Sequence, residues 1–287
     1  MNKAEILIEA LPYIKQFNGK TFVIKYGGSV MEDQNLKQKF IEDVALLKLV
    51  GINLVIVHGG GKRINAMLDR VDLDIQFIQG QRVTDENVMD IVEMVLSGSV
   101  NKDLSACLSA HGIHSIGLSG RDSQLLTAVK KYAVGEDGTE LDLGDVGTIT
   151  HVNAEVLNTL LDAGYVPIIS PVASGKDGER FNVNADTVAG AVSGALNAAK
   201  LILLSDVRGL YRDIEDEDSF LPVIDIQTTE NYMKEGIISG GMIPKMNCCI
   251  DALKRGAEQV VIIDGRVEHS LLIELFTNAG FGTMVTK

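Results

Sequence analysis

Two lysines, one carboxylate and a set of glycine turns carry the residue types in this chain that suit phosphate chemistry. Thr21-Phe22-Val23-Ile24-Lys25-Tyr26-Gly27-Gly28-Ser29 is an apolar, β-rich run ending in a lysine and two glycines. A lysine is costly on a buried strand unless an anion meets it, so Lys25 delivered this way suits a phosphate. Gly27 and Gly28 let the backbone turn sharply and bring its N–H groups close to phosphate oxygens. Taken alone, the run reads more readily as a strand ending in an ordinary turn with a surface lysine. Lys245 follows Gly240-Gly241 at the start of an expected helix, which makes it a second phosphate cation.

Three other stretches offer ligand groups. His58-Gly59-Gly60-Gly61 leaves several backbone N–H groups beside a helix N-terminus, a site for a carboxylate or a phosphate. Glycine used for geometry alone is the competing reading, and His58 reads as a satisfied core or turn histidine rather than a base. In Gly80-Gln81-Arg82-Val83-Thr84-Asp85 the Arg82 guanidinium can grip two carboxylate oxygens, although a surface arginine is the default. Asn182-Val183-Asn184-Ala185-Asp186 brings two amides and a carboxylate to a helix start, where they hold polar ligands, orient lysines, or simply cap the helix. Neither GxGxxG nor GxxxxGK[ST] occurs, which removes the usual motif support for a dinucleotide fold or a P-loop.

The elements that must position these groups alternate between strand and helix. Residues 2–17 carry Ile6, Leu7, Ala10, Leu11, Ile14 and Phe17 at helical spacing, with Pro12 dividing or kinking the helix. That face must pack on the body or on another subunit. Leu36 to Leu47 predicts a helix, Asn53 to Val57 a strand and Ile64 to Leu68 a helix. Thr84 or Asp85 caps a helix through Val88 to Val95, and a second helix through Leu104 and Leu108 leads to a strand at Ile113 to Leu118. Residues 125–150 predict antiparallel hairpins, with a turn at 135–138, forming a lid or flank. A helix over 153–163, a strand Val166 to Ser170, an alanine-rich helix to Ala198, a strand Lys200 to Leu204 and a helix to Arg255 restore the alternation. The Ser205 to Tyr211 loop ends a strand, where open α/β sheets bind nucleotides.

Composition bounds the function. A chain of 287 residues with 46% hydrophobic residues can bury a sizeable core, and no apolar run is long enough to span a bilayer. The net charge of −13 argues against general nucleic-acid or anionic-membrane binding, so any phosphate site is a local positive spot. Cys107, Cys248 and Cys249 form no CxxC, and His111 and His114 have no nearby carboxylate or cysteine cluster, so no metal site is expected. There is no signal or transit segment, and a soluble cytoplasmic protein is expected.

In order along the chain, Lys25-Tyr26-Gly27-Gly28, His58-Gly59-Gly60-Gly61, Gly80-Gln81-Arg82-Val83-Thr84, Asn182-Val183-Asn184-Ala185-Asp186, Leu204-Ser205-Asp206-Val207 and Gly241-Met242-Ile243-Pro244-Lys245 resemble the amino acid kinase family. The resemblance covers essentially residues 20–287. It implies a three-layer αβα sandwich on a mainly parallel central sheet, with a β-hairpin flank and an extra N-terminal helix. It divides the chain into a helical extension (1–19), an N-terminal lobe for the amino-acid substrate and dimer contact (20–176), and a C-terminal lobe for ATP (177–287). The implied reaction is ATP-dependent phosphorylation of the γ-carboxylate of N-acetyl-L-glutamate, an acid that the Gly-Gln-Arg-Val-Thr stretch favours over glutamate, aspartate or a nucleoside monophosphate. A non-catalytic metabolite-binding assembly protein is the rival from another class. By resemblance, Lys25 and Lys245 stabilise the transferring phosphoryl group and Asp186 orients both. Gly60, Gly61, Arg82, Asn182 and Asn184 hold the acid, while Gly27, Gly28, Ser205, Asp206, Gly209, Tyr211 and Met242 hold the nucleotide. The chain shows no acidic Mg²⁺ cage, so the metal is expected to arrive with ATP.

Two features are similar to the arginine-inhibited members of that family. One is the N-terminal helix; the other is His269-Ser270-Leu271-Leu272-Ile273-Glu274 followed by Gly280. They imply L-arginine as inhibitor, with Tyr13, Lys200, His269, Glu274 and Gly280 as its site, and a homohexamer built as a trimer of dimers. For Glu274 a solvated helix face is the alternative.

Overall fold

The computed structural model describes residues 3–135, 137–277 and 280–287, with side chains from residue 8 onward. Met1, Asn2 and Glu136 of the expected turn lie outside the described residues, as do the side chains of Ile6 and Leu7.

Eight strands build the central sheet in the order 223–225, 283–286, 260–264, 200–205, 21–26, 53–58, 166–170 and 115–119. Neighbours run parallel except Val260–Asp264 against Thr283–Thr286. The strands β1 (Thr21–Tyr26) and β2 (Asn53–His58) show why: their side chains alternate between two buried faces. Phe22, Ile24, Leu54 and Ile56 join one core, and Val23, Val55 and Val57 join the other. A strand apolar on both faces must be covered on both, and helices cover the sheet on either side. The result is a three-layer αβα sandwich, and one sheet runs through both of the expected lobes.

Helix α1 (Lys3–Phe17) continues through Pro12 as a single piece. Ala10, Tyr13, Ile14 and Phe17 pack on the body, while Ile8 and Leu11 remain exposed. Helix α2 (Gln34–Leu49) begins at Asp33, whose carboxylate accepts from Asn35 N and Leu36 N. The two helices expected between residues 85 and 110 are joined into one stretch, Glu86–Glu93, a π-helical Met94–Val100 and Asn101–Ala110. Val95, Leu96 and Val100 of the π turn are buried.

The expected hairpin flank is present and goes further. Leu126–Val134, Glu140–Val152, Val172–Ser174 and Arg180–Asn182 close into a small four-stranded sheet. Two antiparallel pairs are joined by two parallel ones, links that local alternation of residue types does not encode. No helix among the described residues is long and apolar enough to cross a membrane.

The paired strands at the centre dominate stability. Ile56 of β2 has no exposed surface, so Ile56→Ala should destabilise the protein by about 2–5 kcal/mol through lost burial and a residual cavity. Urea unfolding followed by circular dichroism will show this as a lower midpoint at unchanged slope.

Candidate active site

β1 lies between β2 and the strand Lys200–Ser205, where the strand order reverses. A crevice opens there at the strand C-termini, the position that open α/β sheets use for ligands. Lys25, one residue from the end of β1 and level with Val57 and Leu203, points its ammonium at this crevice and lines it.

Two helices supply its partners. Asn184 caps the helix Ala185–Ala195 by accepting from Asp186 N at 2.8 Å and Thr187 N at 3.2 Å. That cap sets Asp186 in the first turn. The helix is rich in small residues because the helix Met242–Arg255 packs against it: a Cβ on Gly194 would stand 2.4 Å from the Cβ of Arg255. Close approach brings Lys245 to Asp186 Oδ2 at 2.9 Å, while the Cys248 thiol donates to Asp186 O at 2.8 Å. Lys25 Nζ lies 3.1 Å from Asp186 Oδ1, an ion pair without the alignment of a hydrogen bond. The three side chains are only 13–16% exposed. Burial works to raise the Asp186 carboxyl, but the two ammonium groups outweigh it and hold it at about 2. Burial likewise works to lower Lys245, and Asp186 reverses that, so its ammonium is raised above the ordinary lysine value. Two ammonium groups against one carboxylate leave a net positive charge beside a cleft of about 280 Å³ that Lys25 and Asp186 line, with Lys245 behind Asp186.

The other wall of the cleft carries a helix N-terminus and a guanidinium. Gly60 caps helix α3 (Gly61–Arg70), and a Cβ on Gly60 would meet Leu96 Cδ2 of the π turn at 2.6 Å. Arg82 sits in a short ribbon, Phe77–Ile78 against Gln81–Arg82, which the sequence pattern does not reveal. Its guanidinium stacks 4.9 Å over the Phe77 ring, and Nη2 donates to Gly61 O at 3.3 Å and to Asn65 Oδ1. Nη1 is buried and has no partner among the described residues, and an unmatched donor of this kind is costly until an acceptor enters. Burial lowers the Arg82 pKa. Asn182 Nδ2 donates to Thr84 Oγ1 at 3.2 Å, and both Asn182 and Asn184 line the cleft. Asn65, Thr84 and Leu96 were not among the expected site residues. Asn65 follows Gly61 at helical i+4 spacing, the one signal that places it near the glycines.

His58 is structural, as its position suggested. Asn101 Nδ2 can only donate, so at 3.1 Å it requires His58 Nε2 to accept, leaving the proton on Nδ1 to bond Gly59 O at 2.8 Å. Burial pulls the imidazole down to about 4.

On the nucleotide side the expected residues divide. Asp206 bonds to Ser29. Gly209 answers to packing, since a Cβ there would lie 2.2 Å from Thr283 Oγ1. Tyr211 packs with Phe220 at a centroid distance of 5.3 Å in a small hairpin, and Met242 opens the helix that carries Lys245.

Of the residues implied for arginine, Tyr13, Lys200, Glu274 and Gly280 lie near one another, and His269 is held apart from them. Lys200 lies 5.8 Å from the Phe17 ring centroid, with Tyr13 beside Phe17, and its pKa is lowered by burial and drawn back up by Glu274. Glu274 is not a freely solvated face: Oε2 accepts from Phe281 N at 2.7 Å and Gly282 N at 3.1 Å. Gly280 adopts φ 60° beside that carboxylate. His269 instead bonds through Nδ1 to Asp43 of α2 at 2.5 Å.

Fixed ammonium groups, a buried carboxylate and glycine turns at a strand switch point define a phosphotransferase site. Residues 20–264 match the sequence model of the Amino acid kinase family, and the chain belongs to that family. It is similar to the acetylglutamate kinase of Thermoanaerobacter pseudethanolicus, 50% identical over 99% of this chain and 93% of that protein. It is equally similar to the acetylglutamate kinase of Heliobacterium modesticaldum, 50% identical over 100% of this chain and 99% of that one. Among solved structures it resembles the N-acetylglutamate synthase of Neisseria gonorrhoeae complexed with coenzyme A and N-acetyl-glutamate. That likeness has a TM-score of 0.86 and 28% identity, covering 100% of this chain and 64% of the synthase chain. The Giardia lamblia carbamate kinase bound to AMP-PNP shares the fold at a TM-score of 0.64 and 16% identity, over 94% of this chain and 99% of that one.

The lowered pKa of His58 has a defined sign. Its ordinary value is 6.5, so on acidification the unfolded chain takes up the proton before the folded one. Stability from this residue is therefore complete above pH 6.5 and declines as the pH falls toward about 4, by roughly 3 kcal/mol in all. Urea midpoints measured between those limits should fall more steeply for the wild type than for His58→Gln.

Proposed function

We propose that the protein transfers the γ-phosphoryl group of MgATP to the γ-carboxylate of N-acetyl-L-glutamate, giving N-acetyl-L-glutamyl 5-phosphate and ADP in arginine biosynthesis. The observation that carries this reading is the Lys25–Asp186–Lys245 triad at one end of a cleft whose other wall holds a buried, unpartnered Arg82 donor. The names of the half-identical relatives support the choice of acid.

The chemistry suits these groups. A γ-carboxylate with a pKa near ~4.3 is already ionised at neutral pH, so the nucleophile needs no general base. What it needs is cancellation of charge, because carboxylate and triphosphate repel. An oxygen of the carboxylate forms the new bond to phosphorus while the bond from phosphorus to the bridging oxygen breaks, and that electron pair leaves with ADP. Lys25 and Lys245 offset the charge spread over the equatorial oxygens. Asp186 keeps both ammonium groups where they are before substrate arrives. Arg82 takes the α-carboxylate, and Gly60, Gly61, Asn182 and the amide of Asn184 hold the remainder, which fixes the acid in line. Gly27 and Gly28 lie against the phosphates. Ser205, Asp206, Gly209, Tyr211 and Met242 define the region that takes the rest of the nucleotide. Among the described residues no three His, Cys, Asp or Glu side chains gather as a metal cage, and magnesium is treated as part of the nucleotide substrate.

In this reading residues 20–176 act as the lobe for the acid and dimer contact and 177–287 as the ATP lobe, in the cytoplasm. Residues 1–19 join dimers into a hexamer. The exposed Ile8 and Leu11 support a helix that packs outward as well as inward. Feedback inhibition by L-arginine is assigned to Tyr13, Lys200, His269, Glu274 and Gly280, with His269 tied to α2 through Asp43.

Hydroxylamine trapping of the acyl phosphate tests the reaction, with signal expected from N-acetylglutamate and not from glutamate or aspartate. Signal from aspartate or glutamate alone would reassign the substrate. Lys25→Ala and Lys245→Ala should each lower turnover by orders of magnitude while the fold persists by circular dichroism, and wild-type turnover in either removes the mechanism. Arg82→Ala should raise KM for the acid and leave the KM for ATP nearly unchanged; an unaltered acid KM removes Arg82 from that role.

A further inference from the structure

Family resemblance assigns Asp206 to the nucleotide loop, but its carboxylate is engaged elsewhere. Asp206 Oδ1 accepts from Ser29 N at 3.1 Å and from Ser29 Oγ at 2.6 Å, tying the end of the strand Lys200–Ser205 to the turn after β1 across 177 residues. That turn holds Gly28, which lines the cleft at φ 69°. A Cβ on Gly28 would stand 2.8 Å from the same Oδ1, and one on Gly27 would stand 2.9 Å from Lys25 Nζ. The glycine pair is thus fitted between the Lys25 ammonium and the Asp206 carboxylate. Gly28 answers two demands at once, a left-handed backbone and room for that oxygen.

A carboxylate beside a phosphate site is unfavourable unless its charge is spent locally. Burial works to raise the Asp206 carboxyl, yet the two Ser29 bonds, with Arg266 and Lys25 nearby, bring it below its ordinary value. Arg266 is itself paired with Asp264, its Nη2 2.7 Å from Oδ2. From the geometry we propose that Asp206 is a positioning residue: it acts through Ser29 as a latch that fixes the Gly27–Gly28 turn, and with it the approach of Lys25 to the transferring group, rather than as a nucleotide ligand. The proposal rests on the phosphoryl-transfer reading of the cleft. It differs from that reading in what it asks of Asp206: an acceptor oxygen, with the negative charge itself dispensable.

That difference is testable with Ser29→Ala, Asp206→Ala, their double variant and Asp206→Asn in the full chain. Asp206 is exposed and its truncation leaves the core intact. Two readouts are taken: hydrogen exchange at the backbone amides of residues 27–31 without ligand, and kcat with separate KM values for MgATP and N-acetylglutamate. The latch requires Asp206→Ala and Ser29→Ala each to speed exchange in that turn and to lower kcat about tenfold or more, since small misplacements of reacting groups are costly. It requires the double variant to be no worse than Asp206→Ala, because the hydroxyl bond that Ser29→Ala removes is one of the two that Asp206→Ala removes, the Ser29 N–H bond surviving in Ser29→Ala. It also requires Asp206→Asn to restore exchange and kcat, since an amide oxygen accepts the same two bonds. Additive losses, an Asn variant as poor as Ala, or an Asp206→Ala defect confined to the KM for MgATP would overturn the latch. A wild type that binds nucleotide but turns over neither acid would defeat the functional reading alone, and the exchange rates would still decide the latch.

Discussion

One buried carboxylate shared by two ammonium groups is the interaction on which the cleft depends. Without Asp186, Lys25 and Lys245 would repel each other in a poorly solvated crevice and each would carry an uncompensated desolvation cost. With it, the ammonium groups converge and still leave a surplus of positive charge for incoming phosphate. The chain as a whole carries a net charge of −13, so this surplus is a local construction set against the field of the molecule. It is also rigid. Two helices locked by contacts at Gly190 and Gly194 hold Asp186 against Lys245, so little reorganisation is needed when charge develops on a transferring group.

The opposite side of the cleft is assembled differently, from pieces that touch only in three dimensions. Helix α3 offers its N-terminus, the Phe77–Arg82 ribbon offers the guanidinium, and the closed four-stranded sheet delivers Asn182. The π turn fills the gap between them with Leu96, directly over Gly60. Arg82 is kept partly unsatisfied, with Nη2 occupied by Asn65 and Gly61 and Nη1 open. A site with one donor held in reserve discriminates sharply, because a ligand lacking the matching acceptor leaves that donor buried and unpaired.

Much of this is legible along the chain where the signal is local. The apolar runs at Thr21–Tyr26 and Asn53–His58 read as strands because both faces are covered, and the glycines after each mark turns, of which Gly28 needs its left-handed backbone and Gly60 the close approach of Leu96. Lys25, Arg82, Asp186 and Lys245 stand out because their residue types sit beside helix starts or strand ends. What local pattern conceals is pairing at long range. Nothing around Asp206 announces Ser29, nothing around Asn65 announces Arg82, and Glu274 closes onto the backbone of residues 281 and 282 rather than facing solvent. The π turn escaped for a related reason: one extra residue per turn disturbs the apolar spacing only slightly, while its effect on the cleft is large. His269 shows the limit of proximity in sequence, since five residues separate it from Glu274 and its ring is nevertheless held by Asp43 on another helix.

The place of β1 in the sheet also bears on how the chain is made. It leaves the ribosome before either of its neighbours, and one of them, Lys200–Ser205, is synthesised some hundred and seventy residues later. Until then β1 can pair with β2 alone, leaving one edge of a strand that is apolar on both faces open to any other chain. Slow long-range pairing and an uncovered hydrophobic edge are the conditions under which nascent α/β proteins associate wrongly. Lys25 is the one charged residue of that strand. During synthesis that charge disfavours stacking of the strand against another copy of itself.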